Sequence, residues 1–177
     1  MDRDSDFVND VQIRPMETDA DVDALVGLAH RIWREVFPPI IGPEQTEIML
    51  EFYHSRENIL EEIAGGARYF FVCRSRDTTA ATPVGYLAYE IQEPYLFLSK
   101  IYLLASERGK GLSSALFDWT YAEARAAGKD RVHLHVNKGN AQAIEVYLHK
   151  GFTVVDERLS PIGNGVVMDD YFMEKAL

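Results

Sequence analysis

The stretch Leu103-Leu104-Ala105-Ser106-Glu107-Arg108-Gly109-Lys110-Gly111-Leu112-Ser113 runs from an apolar strand end through a glycine loop into a helical stripe. Such a turn binds anions. Successive backbone N–H groups converge there, the helix dipole adds partial positive charge, and glycines let a phosphate approach the main chain with no Cβ in the way. Arg108 and Lys110 add side-chain charge. Two familiar glycine loops do not fit. A Walker A loop needs Gly where Leu104 stands and Ser or Thr where Gly111 stands. A dinucleotide loop, G-x-G-x-x-G, would place its third glycine at Ser114, after strands that read as antiparallel.

The other reactive side chains are fewer. His133 and His135 lie two apart and therefore share one face of a strand. His30, His54 and His149 are scattered among helical stretches without metal-ligand spacing, so no metal is expected. Cys73 is the sole cysteine, which excludes an intrachain disulfide. Within Tyr69-Phe70-Phe71-Val72-Cys73 it reads as a core thiol rather than a nucleophile.

These residues need elements to hold them. Val11 to Met16 reads as a strand, and Thr18 or Asp19 caps a helix with apolar positions from Val22 to Val36, which Phe37-Pro38-Pro39 stops. Helices are predicted over Glu44 to Tyr53 and Glu57 to Ile63, ending at Gly65-Gly66. Strands at Arg68 to Arg74, Pro83 to Ile91 and Tyr95 to Leu104 follow, separated by Asp77-Thr78-Thr79 and Glu93-Pro94, as in an antiparallel meander. Leu112 to Ala126 forms a helical stripe closed by Gly128, then comes the strand Arg131 to Val136, implying a βαβ crossover. A last helix runs from Asn140 to Gly151, and Phe152 to Val155 and Val166 to Met173 close the sheet. The fold class is α+β with a mixed, mostly antiparallel central sheet flanked by helices. Residues 1–10 are expected to be a polar, disordered tail, and residues 11–177 a single domain.

Arg108-x-x-Gly111-x-Ser113 after an apolar strand resembles the acyl-CoA pyrophosphate loop, Q/R-x-x-G-x-G/A, of the GNAT superfamily of N-acetyltransferases, with Ser at the last small position. Asn137 to Phe152 resembles that family's later motif, N-x-x-A-I-x-x-Y-x-K-x-G-F. The resemblance covers roughly residues 11 to 175, and the ending Met168-Asp169-Asp170-Tyr171-Phe172-Met173-Glu174-Lys175 is similar to endings in polyamine-acetyltransferase-like members. It implies a GNAT-like acyl-CoA-binding fold with acetyl-CoA as cosubstrate. It also implies that Leu103 offers main-chain groups to the pantetheine arm, while Arg108, Gly109, Lys110, Gly111, Leu112 and Ser113 wrap the pyrophosphate. Asn140 caps a helix in its own right, and the motif adds a hydrogen bond to the cofactor arm. Tyr147 at the motif position implies a general acid for the departing thiolate, although its spacing from Ile144 also suits a core tyrosine. An attacking amine must be neutral, so a base or water chain is needed. His135 is the first candidate, where some relatives carry a carboxylate, with His133 and Glu90 behind it.

Composition agrees with an enzyme of this kind. At 177 residues, 47% hydrophobic and 26% charged, the chain suits a globular core and is neither low-complexity nor disordered. No run reaches the 18 or more apolar residues of a membrane span, and the start Met1-Asp2-Arg3-Asp4-Ser5-Asp6 lacks signal-peptide character, so a cytoplasmic location and no membrane partner are expected. The net charge is −10, all of it in residues 1–66, which argues against nucleic acid and for a cationic acceptor. Residues 100–138, among them Lys100, Lys129, Arg131 and Lys138, are locally basic and could dock an anion. The leading expectation is acetyl transfer to a small cationic amine such as a polyamine, attracted by Glu35, Glu44, Glu47 and Glu51. The alternatives are a protein or peptide N-acetyltransferase and a non-catalytic acyl-CoA sensor. The sequence leaves the oligomeric state, a homodimer included, open.

Overall fold

Helix α1 (Asp19–Val36) begins in a capping box: the Thr18 hydroxyl accepts from the Asp21 N–H at 3.1 Å, and the Asp21 carboxylate accepts from the Thr18 N–H at 3.0 Å. Arg14 also donates to that carboxylate, which holds Asp21 well below the usual carboxylate range. The apolar face of α1 buries Val22, Leu25, Ala29, Ile32 and Trp33. The helix ends at Phe37 as the proline pair predicts, and the prolines then start a one-turn helix, α2 (Pro38–Ile41), which the sequence did not show. Proline at the first position of a helix has no N–H to leave unpaired, so it starts α2 as readily as it ends α1. Helices α3 (Pro43–His54) and α4 (Arg56–Ala64) follow, the second capped by the Ser55 hydroxyl.

The computed structural model describes Phe7–Val8, residues 11–74 and residues 82–177. The Asp77-Thr78-Thr79 turn and most of the expected tail lie outside the described residues. Within that tail Phe7–Val8 forms strand β1, paired with β2 (Val11–Pro15). The remaining strands are β3 (Arg68–Arg74), β4 (Pro83–Ile91), β5 (Leu96–Leu103), β6 (Arg131–Asn137), β7 (Thr153–Gly163) and β8 (Val166–Ala176). They build one mixed sheet in the order β1-β2-β3-β4-β5-β6-β8-β7, in which every pairing is antiparallel except β5 with β6. Helix α5 (Leu112–Ala126) makes the crossover between those two parallel strands, and α6 (Ala141–His149) follows β6. Among the described residues no helix is long and apolar enough to cross a membrane.

The sheet carries different layers on its two faces. On one, Val72, Leu87, Leu98 and Leu134 pack with Leu116 and Phe117 of α5 and with Tyr147 of α6. On the other, Tyr69, Phe71, Tyr86 and Ala88 pack with α1, and Trp33, Phe37, Met49 and Leu50 join α1 to α3. A bulge at Ser99 reconciles the faces. Ala88 opposes Lys100 while the next residue, Tyr89, opposes Leu98, so Leu98 faces the first layer and Lys100 the second. Lys100 is 7% exposed and its ammonium donates to Glu62 at 2.6 Å. It is therefore not part of an anion site, contrary to the sequence expectation. Lys129 pairs with Glu93, Arg131 with Asp130, and Lys138 with Glu157 and Asp169, which removes most of the local basic charge from consideration.

The same bulge marks where β5 and β6 part. Their parallel pairing runs only from Leu96 with Val132 to Leu98 with Leu134. Past Leu98, β5 stays with β4 and β6 stays with β8, leaving a wedge between the two C-terminal strand ends. At Gly85 on β4 an added Cβ would stand 2.4 Å from the Tyr102 carbonyl oxygen on β5. Gly85→Ala is expected to cost about 1–3 kcal/mol through overpacking against main chain that cannot yield. A lower urea midpoint with an unchanged slope is the expected reading, and an unaltered midpoint would contradict it.

Strand β7 is longer than its sequence suggests. Gly163 opposes Val166 across the turn residues Asn164 and Gly165, both at positive φ (51° and 72°), which suits a tight hairpin and carries β7 back to Thr153. An edge strand exposed along nearly all its length tolerates Asp156, Glu157 and Arg158, so it shows no alternating pattern.

Candidate acetyl-CoA site

The wedge between β5 and β6 opens into a cavity of about 360 Å³. Leu103, Arg108, Gly109, Gly111, Leu112, Ser113, Asn140 and Tyr147 line it, which brings together every predicted site residue except Lys110 and His135. Tyr102 and Val36 complete the wall on the α1 side.

At one end stands the glycine loop. Gly109 and Gly111 have φ of 71° and 77°, and no atom lies within 4 Å of a Cβ built on either. Gly111 is the N-cap of the fifteen-residue helix α5, and among the described residues no side chain caps it. The first N–H groups of α5 therefore lack the usual side-chain acceptor and face open space, the arrangement that suits a phosphate. Arg108 folds inward, donating from Nη2 to the Leu103 carbonyl at 3.0 Å, so that carbonyl is engaged by the protein itself. Lys110 lies 3.7 Å from Glu107, which also pairs with Arg74. Glu35 of α1 accepts from the Ala105 N–H at 2.9 Å and ties the first helix to the start of the loop.

At the other end is Tyr147. Its ring meets Phe117 edge-on at 5.9 Å and lies 6.0 Å from Phe152, a fixed aromatic setting. Burial pushes its phenol up to about 12, so it holds its proton throughout the neutral range. Asn140 caps α6, its side-chain oxygen accepting from the Ala143 N–H at 3.3 Å. Asn140→Ala is expected to cost about 1 kcal/mol in thermal unfolding through the lost cap. A parallel fall in acetyl-CoA affinity is expected as well; unchanged affinity would confine Asn140 to capping.

His135 sits elsewhere. It lies on the face of β6 turned away from the α5 layer, its ring stacked on Phe172 at 3.6 Å and 5° and near Phe97 at 4.6 Å. Although its side chain is partly exposed, desolvation of the stacked ring, with His133 and Arg158 nearby, pushes its pKa down to about 4, making it a poor proton acceptor at neutral pH. His133 is buried beside Glu174 and is likewise lowered. The sequence reading passed over Asp170 on β8, paired with Asn137 and Arg158 across the sheet. Asp170 is 8% exposed, its Oδ1 has no hydrogen-bond partner among the described residues, and burial with Asp169 nearby pushes its pKa up to about 6. The available signal was a carboxylate at an inward position of an alternating strand, between Met168 and Phe172.

The model of the acetyltransferase (GNAT) family matches residues 28–152, a span that holds both the loop and Tyr147. The chain belongs to the GNAT acetyltransferase family. An uncharacterized N-acetyltransferase of Mycobacterium tuberculosis is 28% identical over 158 residues, covering 89% of this chain and 98% of the relative. A mycothiol acetyltransferase of Beutenbergia cavernae is 40% identical over 68 residues, 37% of this chain and 23% of that protein. The crystal structure of PaiA N-acetyltransferase from Thermoplasma acidophilum in complex with coenzyme A superposes with a TM-score of 0.76 at 21% identity, over 94% of this chain and 99% of that one. This GNAT chain is thus an acetyl-CoA-dependent N-acetyltransferase, and acetyl-CoA is its cosubstrate. The uncapped helix start and the open glycines of this GNAT loop fit the pyrophosphate end of that molecule.

Proposed function

We propose that the chain acetylates the primary amine of a small cation, such as a polyamine, by direct attack without a covalent enzyme intermediate. The observation that carries the reading is the single cavity linking the uncapped start of α5 to the protonated Tyr147. Acetyl-CoA supplies an activated acyl carbon and a thiolate leaving group. Backbone N–H groups from Arg108 to Ser113 hold the pyrophosphate, with Arg108 and Lys110 contributing charge. Asn140 fixes the start of α6 and is in reach of the cofactor arm, and Leu103 borders that arm. Tyr147 gives a proton to the departing sulfur.

A cationic acceptor is supported by the acidic excess of the N-terminal helices, in a reduced form. Glu47 is held by Arg34 in a bidentate pair and Glu35 by the Ala105 N–H, so Glu44 and Glu51 are the exposed members of the four without an ion pair among the described residues. The test is the initial rate of CoA release from acetyl-CoA with spermidine, spermine, simple amines, amino acids and lysine or N-terminal peptides. Release driven by the small amines supports the reading. Release driven only by peptides moves the acceptor to a protein, and binding of acetyl-CoA without turnover across the panel overturns transfer to these amines.

A further inference from the structure

The mechanism above leaves one proton without a destination. An alkylammonium must shed a proton before its nitrogen can attack; neither His135 nor His133 is suited to take it, and Glu90, whose carboxylate accepts from the Gln92 amide, does not line the cavity. On the α3 side of the sheet, a hydrophobic cluster that includes Trp33, Phe37, Tyr53 and Met168 reaches the cavity wall through Val36 and Tyr102, which belong to both. Asp170 stands on β8 one inward position from Met168, and its buried Oδ1 has no hydrogen-bond partner among the described residues. Burial raises the phenol of Tyr102, and the nearby Asp170 carboxylate adds to the shift. Tyr53 of α3 feels Asp170 in the same way.

We propose that Asp170 anchors the acceptor's ammonium group and takes its first proton. The inference rests on the transferase reading above. A buried carboxylate one strand position from a cluster that holds Trp33, Phe37 and Tyr53 suits an alkylammonium: the ion pair supplies the charge, and ring faces favour the cation. Over the reaction an N–C bond forms and the C–S bond breaks. The nitrogen sheds two protons, one through Asp170 to solvent and one to replace the proton that Tyr147 gives to sulfur. The charged and titratable groups facing Asp170 are Lys138 from the β6–α6 turn, Asp169 on its own strand, Arg158 of β7, Tyr53 of α3 and Tyr102 of β5. Lys138 is engaged by Glu157 and Asp169, at 2.8 and 2.7 Å, and Arg158 donates to Asp156. Neither cation neutralises Asp170 through a direct pair.

The experiment compares the wild type with Asp170→Asn and Asp170→Glu, using spermidine and n-butylamine. In the wild type, kcat/KM should fall as pH drops through about 6, because Asp170 is then protonated and can neither pair with nor deprotonate the amine. Asp170→Asn should lower kcat/KM about 100-fold, abolish that limb and weaken spermidine binding about tenfold by calorimetry, with acetyl-CoA affinity unchanged. Asp170→Glu should restore part of the rate and a limb of its own. An Asn variant that keeps the wild-type rate and limb overturns the proposal while the transferase stands. If the wild type releases no CoA with either amine, the transferase reading fails, and the calorimetric arm decides Asp170 alone: binding lost in the variant supports the anchor, and equal binding or none in the wild type overturns it. If the Asn variant does not fold, the acid limb of the wild type decides, and its absence overturns the proposal.

Discussion

Tyr147→Phe should lower turnover by about two to four orders of magnitude while leaving acetyl-CoA affinity close to the wild-type value. The substitution removes one oxygen and keeps the ring that packs on Phe117 and Phe152, so the fold loses little. Tyr147→Ala would be a poorer test, because truncating this ring also costs about 3–5 kcal/mol of packing. The pH dependence has a definite sign. With its pKa pushed up to about 12, the phenol is protonated at every pH where the enzyme is assayed, and an acid of this kind is lost only as pH rises toward that value. The deficit of the Phe variant should therefore be constant from pH 6 to 9. Turnover equal to that of the wild type would reduce Tyr147 to a core tyrosine.

Gly111→Val should weaken acetyl-CoA binding at least about tenfold, equivalent to about 1.4 kcal/mol. Two causes act together. A residue with a Cβ at φ 77° is strained by about 1–2 kcal/mol, more for a β-branched side chain, and the new methyl groups project into the space the phosphate needs. A control separates them. Gly163 in the β7–β8 hairpin has φ 101° and equally open surroundings but lies away from the cavity. Gly163→Val should lose comparable stability in chemical unfolding and keep its affinity for acetyl-CoA in calorimetry. Equal affinity in the two variants would remove the loop from the cofactor site.

Local signals in the sequence carried far because they correspond to local physics. The span Leu112–Ala126 follows from helical periodicity closed by Gly128, and β3 and β4 match their expected bounds because apolar runs between turn residues define buried strands. The glycine loop from Arg108 to Ser113 is likewise legible, since its turn into α5 needs glycines at positive φ. The errors fall where a residue's partner is distant in sequence. Lys100 reads as a free cation until Glu62 of α4 is placed against it, and Glu47 as a free anion until Arg34 claims it. Helix α2 escaped notice because one turn is too short to show a period, and β7 because an exposed edge strand carries no alternation.

The sequence by itself determined the type and order of most elements, the loop at the start of α5 and the tyrosine on α6, because each depends on residues within a few turns of one another. Only the tertiary structure decided which of these meet. The parallel β5–β6 pairing ends at Leu98 while both strands continue, and that divergence makes the cavity. The Ser99 bulge reverses which face each later residue of β5 presents, turning Lys100 and Tyr102 toward the N-terminal helices. The sheet register sets His135 against Phe172 and buries Asp170 opposite Asn137. Proton affinities follow burial and neighbouring charge, which register and packing impose and no local motif encodes.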